Sequence, residues 1–361
     1  MNQFIPGLEL SRRFYYESVK PILDVEFPML HFTAARLGNG SEILGFDTSI
    51  STDHDWGPRL QLFLRHGDYE QFHGEVIERL RHKLPRHFMG YSTHFGDPDE
   101  EGTRLLVEAD GLVNHRVEVW TIQGFFIDYM AYDPREEPTI FDWLSWPQQH
   151  LLGVTAGAVY DDYLGELKPL RERLKYYPHD VWLYLLTAQW SRIGQEEAFV
   201  GRTGEVGDEL GSRLLASRLV HDLMQLCFLM ERSYAPYPKW FGTAFSRLTC
   251  APSLTPILAK VLNAPEWLKR QDYLCQSYEM VASMHNDLGI TEPLETAVRN
   301  FHNRPFCVID AARFVRAIKG TIKDPVVEAI ATNIGGIDQF SHSTDLRSNP
   351  QLHKKLQTLY K

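Results

Sequence analysis

Two aspartates and a glycine–serine pair form the stretch of this sequence whose residue types and spacing could do chemistry. Gly40 and Ser41 are followed, after a short segment, by Asp53 and Asp55, which have one residue between them. Residues 59–64 come next and have strand character, and we expect Asp53 to begin that strand. Side chains two positions apart in an extended chain lie on the same face. The two carboxylates would then converge, and a hard divalent cation, which prefers oxygen ligands, would relieve their repulsion.

The glycine–serine pair predicts a phosphate site beside these carboxylates. A glycine turn offers backbone N–H groups, and Ser41 adds a hydroxyl, which together suit an anion. Residues 41–44 are expected to form a short helix whose N-terminus carries the free N–H groups. A phosphate site next to paired carboxylates indicates metal-assisted phosphoryl or nucleotidyl transfer.

A third carboxylate is expected on a later strand. Residues 116–122 alternate between apolar and polar types, which predicts a strand, and Glu118 is the one acidic residue within it. Strand pairing could bring Glu118 beside the two aspartates, so it is the candidate third metal ligand. Asp47, Glu108 and Asp110 remain alternatives for this role.

The elements that must position these residues indicate an α+β fold, a mixed sheet with flanking helices followed by a mainly helical second half. In the first half, strands are expected at 31–36, 59–64 and 116–122, and helices at 7–20 and 66–84, with Pro21 ending or kinking the first helix. From about residue 139 helical patterns dominate, at 141–146, 157–177, 178–193, 210–232, 252–262, 267–288 and 311–318. The predicted domains are residues 1–145 and 146–361.

Composition and charge exclude some classes of binding partner and indicate the cellular compartment. The chain has 361 residues, a formal net charge of −10 and four cysteines, none of them in a CxxC pair. The net charge argues against a surface built for non-specific binding to nucleic acid or membranes. The cysteines are expected to be free thiols, and the N-terminal residues lack the apolar segment of a signal peptide, which together predict a cytoplasmic protein.

The same residues carry a family resemblance. Gly40-Ser41, Asp53-His54-Asp55 and Glu118 resemble the polymerase-β-like nucleotidyltransferase superfamily, whose members combine a Gly-Ser turn, an Asp-x-Asp and a third strand carboxylate. Residues 1–250 resemble an uncharacterised prokaryotic family of nucleotidyltransferases with a helical C-terminal domain. The segments that carry this second resemblance are FIPGLELSR at 4–12, GSEILGFDTSISTDHDWG at 40–57 and YAPYPKWFGTAF at 234–245.

The resemblance implies transfer of a nucleotide from a nucleoside triphosphate, with Mg²⁺ as the cofactor. Asp53 and Asp55 would bind Mg²⁺ that bridges the phosphates, and Glu118 would complete the metal site or act as the base. The turn at Gly40 and Ser41 would hold the β- and γ-phosphates.

In the related antibiotic nucleotidyltransferases, a helical C-terminal domain closes the cleft and supplies basic residues to the triphosphate. Lys239, within the third matching segment, is the first candidate for that role here, and Arg232 is the second. The chain departs from the superfamily pattern in having glutamate at Glu118, where aspartate is commoner.

The function expected from the sequence is a Mg²⁺-dependent nucleotidyltransferase, and more specifically an adenylyltransferase that uses ATP. The acceptor is the hydroxyl of a small molecule or of a protein, and nothing in the sequence selects between them. The alternative is a non-catalytic nucleotide-binding module that acts as a regulator or as half of a toxin–antitoxin-like pair.

Overall fold

A computed structural model of the protein describes residues 4–100, 102–108 and 110–361. These residues form two compact units. The first unit is built from the described residues up to Glu137 together with His150–Lys175, and the second from Pro138–Gln149 together with Tyr176–Lys361. The chain therefore leaves the first unit, returns to it for one further segment and leaves it again. The two units are described separately below.

The described residues contain eight strands. They are β1 (Phe32–Arg36), β2 (Arg59–Leu64), β3 (His87–Phe88), β4 (Tyr91–Ser92), β5 (Arg116–Thr121), β6 (Ala158–Asp162), β7 (Arg299–Asn300) and β8 (Cys307–Val308). Four of them form the sheet of the first unit, in the order β5-β2-β1-β6. β1 is antiparallel to β2 and β6, whereas β2 and β5 are parallel, so the sheet is mixed as expected from the sequence.

Eighteen α-helices lie within the described residues. Those up to residue 173 are α1 (Gly7–Phe14), α2 (Lys20–Glu26), α3 (His66–Lys83), α4 (Ile122–Met130), α5 (Ile140–Ser145), α6 (Gln148–Thr155) and α7 (Leu167–Arg173). The later ones are α8 (His179–Glu196), α9 (Phe199–Glu205), α10 (Glu209–Met230), α11 (Pro238–Phe245), α12 (Ala251–Asn263), α13 (Trp267–Asp287), α14 (Ala312–Lys319), α15 (Pro325–Glu328), α16 (Ile337–Phe340), α17 (Thr344–Arg347) and α18 (Pro350–Leu356). The α+β fold with a mainly helical second half is confirmed.

The two faces of the sheet differ in chemistry. One face is apolar and packs against α1, α2 and α3, and its strand residues in this core include Leu60, Leu62, Val117 and Val119. Alternation along the strands places Arg59 and Gln61 on the opposite face. Because β2 and β5 pair in register, with Arg59 opposite Arg116 and Gln61 opposite Glu118, this second face is polar at the N-terminal ends of both strands. The candidate site lies on that polar face.

The fourth strand of the sheet was not expected from the sequence. The prediction of a single helix at residues 157–177 is wrong, because this segment forms β6 and, after a turn, α7. Asp162 causes the change, since its carboxylate accepts hydrogen bonds from the Thr33 hydroxyl (2.6 Å) and from the backbone N–H groups of Gly165 (3.1 Å) and Lys168 (3.0 Å). A side chain that competes in this way for backbone donors ends one element and begins the next.

The N-terminal helix continues past Pro21. A five-residue π-helical turn at Tyr15–Val19 separates α1 from α2, and Pro21 occupies the first turn of α2. Proline is tolerated in a first turn because its missing N–H is not needed there. Pro21 therefore does not end the helix at residue 20, and the irregularity lies one turn earlier, where the hydrogen bonding widens to i→i+5.

The second unit is mainly helical, and the described part of it contains only the short pair β7–β8 besides its helices. α8 runs through its core and buries every residue from Val181 to Trp190, with Trp190 stacked on Phe314 of α14 at 4.1 Å between ring centres. The four cysteines are free thiols, as expected. Among the described residues, no helix is long and apolar enough to cross a membrane.

Candidate functional site

The glycine turn after β1 is a run of tight turns and not the short helix expected at residues 41–44. Backbone hydrogen bonds join Ile43 to Gly40 (3.2 Å), Leu44 to Ser41 (3.2 Å) and Gly45 to Glu42 (3.1 Å), each spanning three residues. Gly38 and Gly40 have φ angles of +90° and +140°. Residues with a Cβ atom strongly disfavour such angles, so the two glycines allow the chain to reverse direction here. An α-helix would instead need regular negative φ angles.

The turn presents unused hydrogen-bond donors. Within the described part of the chain, the backbone N–H groups of Asn39, Gly40 and Ser41 and the hydroxyl of Ser41 make no hydrogen bond to the protein. Asn39 is exposed, and Gly40 and Ser41 are half-buried. Successive free N–H groups in a turn form a concave anion site. These donors are chemically compatible with the predicted phosphate contact of Gly40 and Ser41, which stays a prediction.

A buried ion cluster holds this turn in place. The side chain of Glu42 is 4% exposed, and its Oε1 atom accepts from Arg36 Nη2 (2.6 Å) and Arg59 Nη2 (2.7 Å). Arg36 Nη2 also donates to the carbonyl of Asn39 at 2.7 Å. Burial raises the pKa of the Glu42 carboxyl, but the charges of the two arginines more than offset this effect and hold it at about 2. The cluster fixes the turn against the N-terminal end of β2.

Asp55 and Glu118 are brought together by Arg116. Arg116 Nη1 lies 3.4 Å from Asp55 Oδ1, and Arg116 Nη2 lies 3.0 Å from Glu118 Oε1. Both carboxylates are 36% exposed, and Arg116 is 23% exposed. Trp120 Nε1 donates to the other oxygen of Glu118 at 3.5 Å. A cation therefore lies between two of the three predicted metal ligands.

Asp53 does not lie in an extended segment with Asp55. It ends a 3₁₀ helix at Ser49–Asp53, β2 begins only at Arg59, and Asp55 has a φ of +43°. Thr48 and Ser51 cause this, because each caps the other's backbone and winds the segment into a helix. The expectation that Asp53 begins the strand is wrong, and with it the argument that the strand period brings the two carboxylates to one face. Asp53 is 61% exposed, and its carboxylate contacts His54 Nδ1 at 3.0 Å.

The alternative carboxylates have other partners. Asp47 accepts from the Gly7 N–H (2.6 Å) and from Trp56 Nε1 (3.0 Å), which ties the start of α1 to this region. Glu108 pairs with His87 at 2.8 Å on the exposed surface. The carbonyl of Asp110 accepts from Arg86. These contacts give Asp47 a structural role and leave Glu118 as the carboxylate that shares a partner with Asp55.

Asp55 and Glu118 could hold a metal ion only if water or a bound substrate supplied its remaining ligands. In the described ranges, no group of three or more His, Cys, Asp and Glu side chains is arranged to hold a metal ion. Mg²⁺, however, commonly takes only one or two carboxylates from the protein and its remaining ligands from water and substrate phosphates. Asp55 and Glu118 would supply those two carboxylates, and a metal ion there would replace the Arg116 guanidinium as their partner.

The two basic candidates belong to the second unit. Lys239 is exposed on α11, and its Nζ atom lies 5.2 Å from the centre of the Trp240 ring. Arg232 has a φ of +50°, and its guanidinium lies 3.9 Å from the centre of the Trp182 ring. Cation–π contacts of this kind are compatible with a structural role as well as with a ligand contact. Both assignments stay predictions.

Four residues of the site were missed by sequence reasoning, namely Arg36, Glu42, Arg59 and Arg116. A signal existed for Arg116, since it stands two positions before Glu118 and strand alternation places both on one face. The other three had no such signal, because Glu42 meets Arg36 only through the turn after β1 and meets Arg59 only through the pairing of β1 with β2.

Replacing Gly40 by alanine is expected to destabilise the first unit by about 1–3 kcal/mol. A Cβ atom at Gly40 would stand 2.3 Å from Oε2 of Glu42, whose carboxylate is held by two arginines and cannot move freely. Gly45→Ala is the matched control, because Gly45 has a φ of +64° but nothing within 4 Å of its Cβ position. Urea denaturation of both variants measures the difference, and equal losses would contradict the steric argument.

The chain is similar to one protein family over part of its length and to a solved structure. A family profile described as a domain of unknown function, DUF4037, matches residues 143–241, which is less than a third of the chain. A search of curated proteins finds no significant match. One similar solved structure is a nucleotidyltransferase-like protein from Exiguobacterium sibiricum 255-15, with 10% identity, a TM-score of 0.34 and coverage of 90% of this chain and 92% of that chain. A likeness at this TM-score does not establish a common fold.

Proposed function

We propose that the protein is a Mg²⁺-dependent nucleotidyltransferase that moves a nucleoside monophosphate, most specifically adenylate from ATP, to the hydroxyl of a small molecule or protein. The observation that carries this proposal is the pair of carboxylates, Asp55 and Glu118, which share the cation Arg116 at the N-terminal ends of two parallel strands. Two carboxylates that share a cation would supply the ligands that Mg²⁺ commonly takes from a protein, and a bound triphosphate would supply others.

The glycine turn supports the second half of the proposal. Its free N–H groups at Asn39, Gly40 and Ser41 can donate hydrogen bonds to the phosphate oxygens of the nucleotide. Arg59 links the turn to the carboxylates, because it binds Glu42 through its side chain and lies opposite Arg116 in the strand register. Donors for phosphate and the proposed ligands for its counter-ion therefore lie at the same end of the sheet, where β1 ends and β2 and β5 begin.

Within this proposal the residues have separate roles. Asp55 and Glu118 would hold Mg²⁺, with Asp53 as a further ligand, and the metal would neutralise charge on the triphosphate. The Gly40–Ser41 turn would orient the β- and γ-phosphates. Glu118 would alternatively accept the proton of the attacking hydroxyl. Catalysis of this kind depends on positioning and charge neutralisation.

Calorimetric titration of the full chain with each nucleoside triphosphate, with and without Mg²⁺, tests the proposal. We expect saturable binding that requires Mg²⁺, strongest for ATP, together with slow release of pyrophosphate in the absence of the acceptor. Absence of any Mg²⁺-dependent component for all four nucleotides would contradict the proposal.

A specific observation favours one second candidate, the non-catalytic nucleotide-binding module. Arg116 already neutralises Asp55 and Glu118, and Asp53 is exposed and pairs with His54. A protein that uses Arg116 as a permanent cation could bind a nucleotide as a sensor without metal. The same titration separates the two candidates, because metal-independent binding without turnover would support the sensor.

A further inference from the structure

The second unit contains a cavity of about 400 Å³, a volume within the range of small-ligand sites. It is formed by α8, α10 and the end of α16, and its lining includes Arg192, Ser217, Arg218, His221, Asp222 and His342. These residues have no part in the function proposed above.

A buried carboxylate organises this cavity. The Asp222 side chain is 5% exposed and accepts hydrogen bonds from Gln189 Nε2 (3.2 Å) and from Arg192 Nε (3.2 Å). Gln189 is itself held by Gln339, whose Nε2 donates to its Oε1 at 2.9 Å. Burial raises the pKa of Asp222, but the neighbouring His221 and Arg192 more than offset this effect, so its pKa lies below the ordinary value. Asp222 is therefore an anion that fixes the orientation of Arg192.

Arg192 consequently offers a free guanidinium edge. Asp222 uses only Nε, and the two Nη groups make no hydrogen bond or ion pair within the ranges that the structure describes. A guanidinium fixed through one nitrogen presents its remaining donors in a planar fork that matches the oxygens of an oxyanion. The side chain is 26% exposed, so these donors are accessible from the cavity.

Further donors surround this fork. His221 stacks on Phe241 with 5.0 Å between ring centres, and His342 lies edge-on to His221 at 5.4 Å. The hydroxyl of Ser217 and the ring nitrogens of His342 have no hydrogen-bond partner among the described residues. Two imidazoles and one hydroxyl therefore add to the donors of Arg192.

The accessible charge of the lining is positive. The carboxylate of the lining, Asp222, is 5% exposed and binds Arg192, and Glu196, which is 16% exposed and lies outside the lining, binds Arg218. Arg218 is 60% exposed and presents its charge at the mouth of the cavity. The exposed charged side chains of the lining are therefore the two guanidiniums, although each has a carboxylate partner.

We propose that this cavity binds the phosphoryl group of a small phosphorylated ligand, with Arg192 as the bidentate anchor and Ser217, His221 and His342 as further donors. A tetrahedral group with three terminal oxygens uses this number of donors better than a planar carboxylate does. The cavity also exceeds the volume of one phosphate and continues along Phe340, which leaves room for an organic part of the ligand.

Titration of the full chain with glycerol 3-phosphate and, separately, with inorganic phosphate tests this proposal. Both titrations are made with a metal chelator at constant ionic strength, and ¹H–¹⁵N spectra of the histidine rings are recorded. We expect saturable binding of the ester with a dissociation constant below about 1 mM, weaker binding of free phosphate, and shifts of the His221 and His342 ring signals. Tighter binding of free phosphate would make inorganic phosphate the ligand, and the absence of saturable binding of either would overturn the proposal.

Two variants locate the binding. Arg192→Lys keeps a positive charge beside Asp222 but removes the fork, and we expect about tenfold or greater weakening of the ester complex. His342→Asn, at an exposed position, is expected to weaken it by about fivefold. The control is Arg202→Lys on α9, whose guanidinium lies over the Phe199 ring and which should bind as the wild type does.

Unchanged affinity in both Arg192→Lys and His342→Asn would overturn the assignment. Asp55→Asn should retain the binding in full, because Asp55 belongs to the first unit. Loss of binding in that variant would place the phosphate at the nucleotide site and would contradict this proposal without affecting the proposed transferase activity.

Discussion

Replacing Asp55 by asparagine is expected to lower the rate of Mg²⁺-dependent nucleotidyl transfer by about a hundredfold or more. The change keeps the size of the side chain but removes the charge that, together with Glu118, holds a cation. Conversion of α-labelled ATP by the purified chain measures the rate, and calorimetry measures the Mg²⁺-dependent part of ATP binding.

The matched control for this prediction is Asp24→Asn, an aspartate on α2 whose side chain is 57% exposed and which lies 3.7 Å from Lys20. Its rate should equal that of the wild type. Glu118→Gln should reproduce the loss seen in Asp55→Asn, because the two carboxylates share Arg116. Undiminished transfer in a variant that carries both Asp53→Ala and Asp55→Ala would rule out the metal assignment.

Replacing Glu42 by glutamine is expected to lower the free energy of unfolding by about 3–5 kcal/mol. The variant leaves the buried guanidiniums of Arg36 and Arg59 without their counter-charge, and both residues are less than a tenth exposed (3% and 8%). Urea denaturation measures the loss. Glu9→Gln is the control, since the Glu9 side chain is 43% exposed and pairs with Arg12 on the surface, where ion pairs contribute under about 1 kcal/mol.

The same residue predicts a pH dependence. The pKa of Glu42 is about 2 in the folded protein, below its model-compound value of 4.5. A carboxyl with a lowered folded pKa contributes stability that is complete above 4.5 and is lost as the pH falls from 4.5 towards 2. This contribution is on the order of 3 kcal/mol. Wild type should lose it over this range, and Glu42→Gln should show a flatter profile; parallel profiles would show that Glu42 is not the group responsible.

The sequence predicts well the helices and strands that pack one apolar face against a single hydrophobic core. β1, β5 and α3 were expected within one or two residues of their observed bounds, because each has an apolar face against a single core. β6 was missed because it is short, partly exposed along its whole length, and ends through the side-chain hydrogen bonds of Asp162. Polar contacts of that kind leave no periodic signal.

In the candidate site, too, some features could be predicted from the sequence and others could not. The types of residue in the turn and the carboxylates could be read from the sequence, since glycine, serine and aspartate indicate their chemistry directly. Their arrangement could not. The capping of Thr48 by Ser51 makes a 3₁₀ helix that ends at Asp53, where the strand was expected to begin. Arg116 reaches Asp55 only because β2 and β5 are parallel and in register.

The return of the chain to the first unit has a consequence for how this protein can be divided in the laboratory. β6 pairs with β1 and belongs to the segment His150–Lys175, which follows the Pro138–Gln149 segment of the second unit. A fragment that stops at residue 145 would leave β1 with an unpaired edge, and such edges recruit other chains and aggregate. Production of the first unit alone therefore needs a fragment that extends to Lys175, in which a short flexible linker replaces the Pro138–Gln149 segment.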